Sequence, residues 1–472
     1  MFKKIAIALI AALILGLGFA YYSYGSVARA GSGYAAKNIC SGYFLSGFSA
    51  EDMTNQALKG ASDVLTNVSS SIDEEEGRVT TSLFGLFQRE AIYTPGIGCT
   101  VLPSGDEDVT MPVTALPALT IPVDEAWPKG SAAPRPNPQL AAIVQEAFDE
   151  PDPDQPRYTK AVAVVHKGEL IAEQYAQGVS ADTPLIGWSM TKSVTALLVG
   201  MLVKDGALDI NDPAPVPIWS QSPDDPRAAI TLDQLLRMSS GLEFEETYTA
   251  ATDVTRMLSV EPDAAAFAAS KPLAGPPDTI WSYSSGTTNI ISAIVRRSVG
   301  DTLQDAYEFS QTRLFRPLHI RTATIEADRS GTFIGSSYMY ASARDWARLG
   351  QFCLQGGEWE GETLLPEGWM EYLLTPTKTA DANLYGAQFW LNRDPSDTQQ
   401  ERLFPSLPED SYYMGGYQGQ IVLVIPSEEL VITRFGFTAG GNEGVEEMAA
   451  KIIAHLGSEA DASEAEAELE AA

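Results

Sequence analysis

The stretch Gly187-Trp188-Ser189-Met190-Thr191-Lys192-Ser193 opens the segment on which the reading of this chain turns. Its periodicity predicts a helix from Ser189 to Asp205. Between Val194 and Val203 that helix is apolar on nearly every side, so it belongs at the centre of a domain. Its first turn carries the tetrad Ser-x-x-Lys, and a spacing of three puts Ser189 and Lys192 on one helical face. A serine hydroxyl is a poor nucleophile until a neighbouring base takes its proton. A lysine serves as that base only when burial or a second cation destabilises its ammonium form. An apolar helix supplies the burial, and the helix N-terminus adds positive potential beside the serine, which suits a developing oxyanion. The plain alternative is an N-cap serine followed by a solvated lysine, since the tetrad alone is common by chance.

Outward from this helix, Ala161 to Val165, the turn Lys167-Gly168 and Glu169 to Tyr175 read as a β-hairpin, preceded by a helical period over Leu140 to Phe148. Near the other end, Gln420 to Ile425 and Leu430 to Phe435 form a second hairpin, followed by a closing helix over Val445 to His455. Hairpins at both ends with helices between predict a mixed α/β (α+β) fold, an antiparallel sheet flanked by helices. There is no internal repeat.

Composition excludes several functions. The 472 residues carry 31 Lys+Arg against 62 Asp+Glu, and a net charge of −31 repels phosphate backbones, so no nucleic-acid partner is expected. Three cysteines, Cys40, Cys99 and Cys353, fit neither a disulfide-dense scaffold nor a CxxC metal site, and with three histidines no metal or organic cofactor is implied.

Four regions are expected. Residues 1–30 contain Lys3 and Lys4 before an apolar run from Ile5 to Tyr22, whose 18 residues lie between a signal-peptide core and a minimal membrane span of roughly 20. Ala28-Arg29-Ala30 offers a small-x-small cleavage site, while Tyr21, Tyr22 and Tyr24 suit the interfacial belt of an uncleaved anchor. Both readings deliver the rest of the chain to the periplasmic face of a bacterial envelope. Residues 31–123 read as a small accessory region, in which Cys40 and Cys99 either bridge in an oxidising exterior or stand as two buried thiols. Prolines 117, 122, 128, 134, 136 and 138 mark a linker into a domain spanning 124–457, and the acidic residues 458–472 read as a disordered or loosely helical tail. Oligomeric state is not legible.

Two later segments complete a pattern. Trp281-Ser282-Tyr283-Ser284-Ser285-Gly286 follows a Pro/Asp turn, and Gly415-Gly416-Tyr417-Gln418-Gly419-Gln420 leads into a strand. With Ser189-x-x-Lys192 they resemble, in chain order, the three motifs of the serine β-lactamase and penicillin-binding-protein superfamily: Ser-x-x-Lys, Tyr-x-Asn, and Lys-Thr-Gly on an edge strand. Thr231 to Leu242, Leu314 to Leu318 and Tyr338 to Asp345 extend the resemblance over about 320 residues. Within the superfamily the chain is most similar to the class C-related esterase and 6-aminohexanoate-dimer-hydrolase branch. The resemblance implies an additional all-helical subdomain and a small-molecule ester or amide substrate. It implies Ser189 as acylated nucleophile, Lys192 as general base and Tyr283 as proton shuttle, with the oxyanion held by the backbone N–H groups of Ser189 and Gln420. Gly415, Gly416 and Gly419 would let substrate approach the strand closely.

Departures from the pattern bear on substrate. Ser285 stands where β-lactamases have Asn, and Tyr417-Gln418-Gly419 where they have Lys-Thr-Gly; the resemblance implies Ser285, Tyr417 and Gly419 as substrate contacts, with the usual counter-charge for a substrate carboxylate missing. Tyr248, on the loop after Ser240-Gly241-Leu242, is placed to close over substrate or to stand as a surface aromatic. Trp188 lines the pocket or fills the core. His166, His319 and His455 lack triad surroundings and no G-x-S-x-G elbow appears, which disfavours a Ser-His-Asp enzyme. The competing functional reading is a penicillin-binding or sensor protein with stoichiometric or no turnover, or a weak β-lactamase or D-Ala-D-Ala peptidase.

Overall fold

The computed structural model describes residues 24–102, 111–222, 224–248, 251–380, 383–393, 402–439 and 441–471, with side chains described to residue 459. The apolar run 5–22, on which the leader or anchor reading falls, lies outside these residues. No described helix is long and apolar enough to cross a membrane.

Residues 24–44 form α1, and four strands follow as an antiparallel meander: β1 (Val68–Asp73), β2 (Arg78–Leu83), β3 (Leu86–Thr94) and β4 (Gly98–Leu102). The helix and meander are tied together by a disulfide between Cys40 and Cys99, so of the two readings left open for these cysteines the bridge is the one found. Ala28-Arg29-Ala30 lies inside α1, so a cut there would fall within a helix.

Next come α2 (Pro138–Gln145) and the expected hairpin, β5 (Ala161–His166) and β6 (Glu169–Tyr175). Its two turn residues, Lys167 and Gly168, both take positive φ, 50° and 78°, the combination a two-residue I′ turn demands. The buried helix α3 covers Met190–Lys204, and α4 (Ser285–Val299) packs against it. Short helices Leu232–Leu236, Asp253–Ser259, Ala264–Ala269 and Leu303–Ser310 gather beside α4 as the helical subdomain. Then follow α5 (Ala343–Leu354), the strands β7 (Trp390–Leu391), β8 (Tyr412–Gly416), β9 (Gln420–Ile425) and β10 (Leu430–Phe435), and α6 (Val445–Ala471). The backbone of α6 thus continues as helix through the acidic stretch read as a tail.

The main sheet runs in the order β7-β8-β9-β10-β5-β6, every pair antiparallel. Strand periodicity sorts its side chains: Val162, Val164, Ile421, Leu423 and Ile432 face a core closed by Leu140 of α2 and Met448 and Ile452 of α6. Ala163, Val165, Val422, Val424 and Val431 face the larger core that holds α3 and α5. A Cβ on Gly350 of α5 would stand 2.5 Å from Val431, so the missing side chain sets how closely helix and sheet approach.

The accessory region shares this larger core. Ala35, Ala36, Ile39 and Cys40 of α1 belong to it, and the ammonium of Lys37 forms a buried ion pair with Glu326 and donates to the Cys99 carbonyl at 2.6 Å. The stretch read as a linker is pinned by buried Trp127, whose indole N–H donates to the Arg344 carbonyl at 3.4 Å.

Candidate active site

The site grows from the first turn of α3. Trp188 takes positive φ (47°), turning its side chain inward and leaving Ser189 as the N-cap residue of the helix. The Ser189 hydroxyl makes no capping hydrogen bond. It accepts one instead from Lys192 Nζ at 3.1 Å. Lys192 is 1% exposed, so the plain reading of a solvated lysine fails at its defining property.

The Lys192 ammonium also donates to Ser285 Oγ at 2.9 Å and to the Ser336 carbonyl at 3.0 Å. Ser285 is the first residue of α4, and its backbone N–H donates to Glu246 Oε2 at 2.8 Å while its hydroxyl donates to Oε1. A relay therefore runs Ser189, Lys192, Ser285, Glu246. Burial lowers Lys192 from the ordinary lysine value to about 8, with the nearby Glu246 charge pulling it back upward. Burial likewise raises the Glu246 carboxyl, opposed by Lys192 and by the hydrogen bonds from Ser285.

Tyr283, two residues before α4, brings its phenol within hydrogen-bonding reach of Ser189, and Lys192 Nζ lies 4.8 Å from the ring centroid. Burial holds this phenol well above its ordinary value, and the Ser189 hydrogen bond only partly offsets that. The resting side chain is thus a neutral phenol rather than a phenolate, and Lys192 is the group poised near neutrality. Tyr283 sits among aromatic neighbours, with ring centroids 5.2 Å from Trp390 and 5.8 Å from Tyr385.

Ser189 and Tyr283 open into a cavity of about 420 Å³ whose walls include Tyr248, Trp390, Tyr413, Gly415, Gly416 and Tyr417. Tyr248 and Tyr417 both line this cavity and stack on one another, centroids 5.5 Å apart at 10°. None of the three histidines lines the cavity, and none of its described wall residues is Lys or Arg.

Three expectations, for Gln420, Gly419 and Ser285, are corrected, and the alternative left open for Trp188 is resolved. Gln420 does not wall this cavity: it begins β9, one strand deeper than β8, and its buried side chain is spent on the carbonyls of Tyr417, Gln418 and Gly436. Gly419 belongs to the same inner turn, its carbonyl accepting from Arg434 at 3.1 Å. The strand edging the cleft is β8. A Cβ on Gly416 would lie 2.2 Å from the Gly187 carbonyl, which brings that glycine's backbone beside the start of α3. Trp188 fills the core, stacked on Tyr34 at 6.0 Å and edge-on to Tyr417 at 5.7 Å. Ser285 is fully buried and holds Lys192 rather than substrate. Sequence reasoning also passed over Glu246, two residues from Tyr248, and Tyr34 of α1. Its one signal for Glu246 was an acidic residue in a loop already placed near the cleft.

The Beta-lactamase family model matches residues 144–456, so the chain belongs to that family. The chain is 27% identical over 233 residues to the 6-aminohexanoate-dimer hydrolase of Paenarthrobacter ureafaciens, a match covering 46% of this chain and 57% of that protein. Among solved structures it is similar to a putative 6-aminohexanoate-dimer hydrolase from Bacillus anthracis, with TM-score 0.54 and 22% identity over 73% of this chain and 89% of the other. It is also similar to a class C beta lactamase from Rhodobacter sphaeroides, with TM-score 0.50 and 18% identity over 68% of this chain and 99% of the other. The two structures bear on fold, which is the β-lactamase and transpeptidase arrangement of antiparallel sheet and helices. Family and hydrolase-named relative together support a hydrolase-type function.

Proposed function

We propose that this protein is a serine hydrolase that cleaves a neutral ester or amide through an acyl-enzyme on Ser189. The observation that carries the reading is the Ser189 hydroxyl, uncommitted to capping, 3.1 Å from a buried Lys192 whose ammonium is destabilised to about 8. In the neutral form Lys192 takes the Ser189 proton as the hydroxyl oxygen attacks the carbonyl carbon. The oxyanion is received by the backbone N–H of Ser189 and, in place of the Gln420 expectation, that of Gly416 on the cleft strand. Collapse breaks the bond to the leaving group, which takes a proton from Tyr283, and Tyr283 is reprotonated by the Lys192 ammonium. Water then attacks the acyl carbon, losing its proton to Lys192 through Tyr283, and the serine oxygen regains a proton as the carboxylic acid departs. Glu246 and Ser285 position the lysine and restrain its charge.

A wall without Lys or Arg favours a substrate lacking a carboxylate near the reacting bond, because an unpaired charge in a desolvated site is costly. Residues 5–22 as a leader or anchor belong to this reading, and the Cys40–Cys99 disulfide is compatible with an extracellular or periplasmic location.

The test is labelling by a fluorophosphonate probe together with turnover of p-nitrophenyl acetate, butyrate and nitrocefin. Labelling and ester turnover in the wild type, both lost in Ser189→Ala, are expected. Labelling that survives Ser189→Ala would overturn the nucleophile, and labelling without turnover of any substrate would favour the sensor reading.

A further inference from the structure

A second cavity, of about 190 Å³, lies between the accessory region and the hydrolase domain. Val27, Ala30, Val64, Leu65 and Leu83 supply its apolar wall, and none of its described lining residues is charged. Its inner limit is the stacked pair Tyr248 and Tyr417, each of which also walls the cavity containing Ser189. Two aromatic rings are therefore the partition between a reactive serine and an apolar chamber. Val27 and Val64 are the exposed apolar residues of its lining and so mark its mouth, and exposed apolar side chains stand on the same parts of the chain, Tyr24 on α1 and Phe84 and Leu86 in the accessory region. At the other end the buried hydroxyl of Tyr34 has no hydrogen-bond partner among the described residues.

Resting on the hydrolase reading, we infer that this chamber is a substrate subsite for a linear aliphatic chain, which passes the Tyr248–Tyr417 partition while the ester or amide carbonyl sits at Ser189. Its size sets the length. An apolar cavity of roughly 150 Å³ accommodates benzene, so about 190 Å³ holds a segment of about six to eight carbons. Because the two cavities share Tyr248 and Tyr417 as walls, parting of this one stacked pair would join them, which makes a substrate chain, rather than a separate ligand, the occupant. An apolar rim suits entry of an amphiphile.

The full chain is assayed against p-nitrophenyl esters from acetate to decanoate, which vary the acyl side, and against alkyl acetates from ethyl to decyl, which vary the leaving group. Each methylene removed from water is worth about 0.8 kcal/mol, or about fourfold. On one of the two series kcat/KM should rise at least about tenfold from two carbons to eight and level off beyond. The responding series tells which end of the substrate enters. Val64→Trp and, independently, Val27→Trp crowd the mouth from half-exposed positions. Both should erase that rise while leaving p-nitrophenyl acetate turnover within about twofold of wild type. A flat profile in both series, or a rise that survives both variants, would overturn the subsite. Either result leaves the Ser189 assignment standing as long as acetate turnover disappears in Ser189→Ala, so the two ideas fail separately.

Discussion

Two lysines are buried among the described residues, and their surroundings differ in one respect. Lys37 meets its carboxylate, Glu326, directly, with further hydrogen bonds to Ser41 and the Cys99 carbonyl. Lys192 meets two hydroxyls and a carbonyl, while its nearest carboxylate, Glu246, stands behind Ser285. Burial lowers both ammonium groups, but at Lys37 the opposing carboxylate is in contact. Interposing one hydroxyl leaves Lys192 able to give up its proton near pH 8, whereas direct contact makes Lys37 a cross-link between α1 and the hydrolase domain. The same residue type is set for the proposed proton transfer in one place and for assembly in the other.

The sharpest separation comes from deleting each amine. Lys192→Ala should lower kcat/KM by about 10² to 10⁴, the worth of a general base, in a protein that still folds. A loss of only a few-fold would remove Lys192 from the base role. Lys37→Met should do the opposite. It strands Glu326 in the core and should cost about 3 to 5 kcal/mol in denaturant unfolding, while the folded fraction keeps its turnover. Because burial already raises the Glu326 carboxyl, protonation as pH falls should recover part of that loss. An unchanged denaturation midpoint would show that the pair is not a tether.

Cys40→Ala with Cys99→Ala probes the same tether covalently. The bridge spans 59 residues, and under the loop-entropy account its removal should cost about 4 kcal/mol. The smallest effect concerns pH. The base is active when unprotonated, so kcat/KM should rise with pH through about 8 and level above it. Glu246→Gln removes the charge that favours the ammonium. The rising limb should therefore shift to lower pH, whatever happens to the plateau, with a gain below about tenfold at pH 7 relative to that plateau. A limb that moves upward or stays put would show that Glu246 does not act on Lys192.

Local signals carried much of this arrangement. Lys192 and the apolar run behind it lie in one helix capped by Ser189, so spacing alone put the hydroxyl and the amine side by side, and the two hairpins announced the main sheet. Tyr283 was legible through the order of motifs. The third motif was misplaced because glycines flank both sides of a tight reversal: Gly415-Gly416 ends β8, Gly419-Gln420 brackets the start of β9, and spacing does not reveal which limb edges the cleft. Glu246 and Tyr34 were passed over for a related reason. Their roles come from contacts with Ser285 and Trp188, remote in the chain, and no local periodicity encodes such meetings.

The Lys37–Glu326 contact joins residues 289 positions apart. During synthesis the segment that makes α1 emerges early, yet the partner that anchors it is translated only after α3 and the helices of the helical subdomain. The part of α1 not covered by the β1–β4 meander therefore has its partners made late in elongation, and the wall it contributes beside Tyr417 is among the last surfaces to close. Maturation of the chamber is by this logic a late folding event, later than assembly of Ser189 with Lys192.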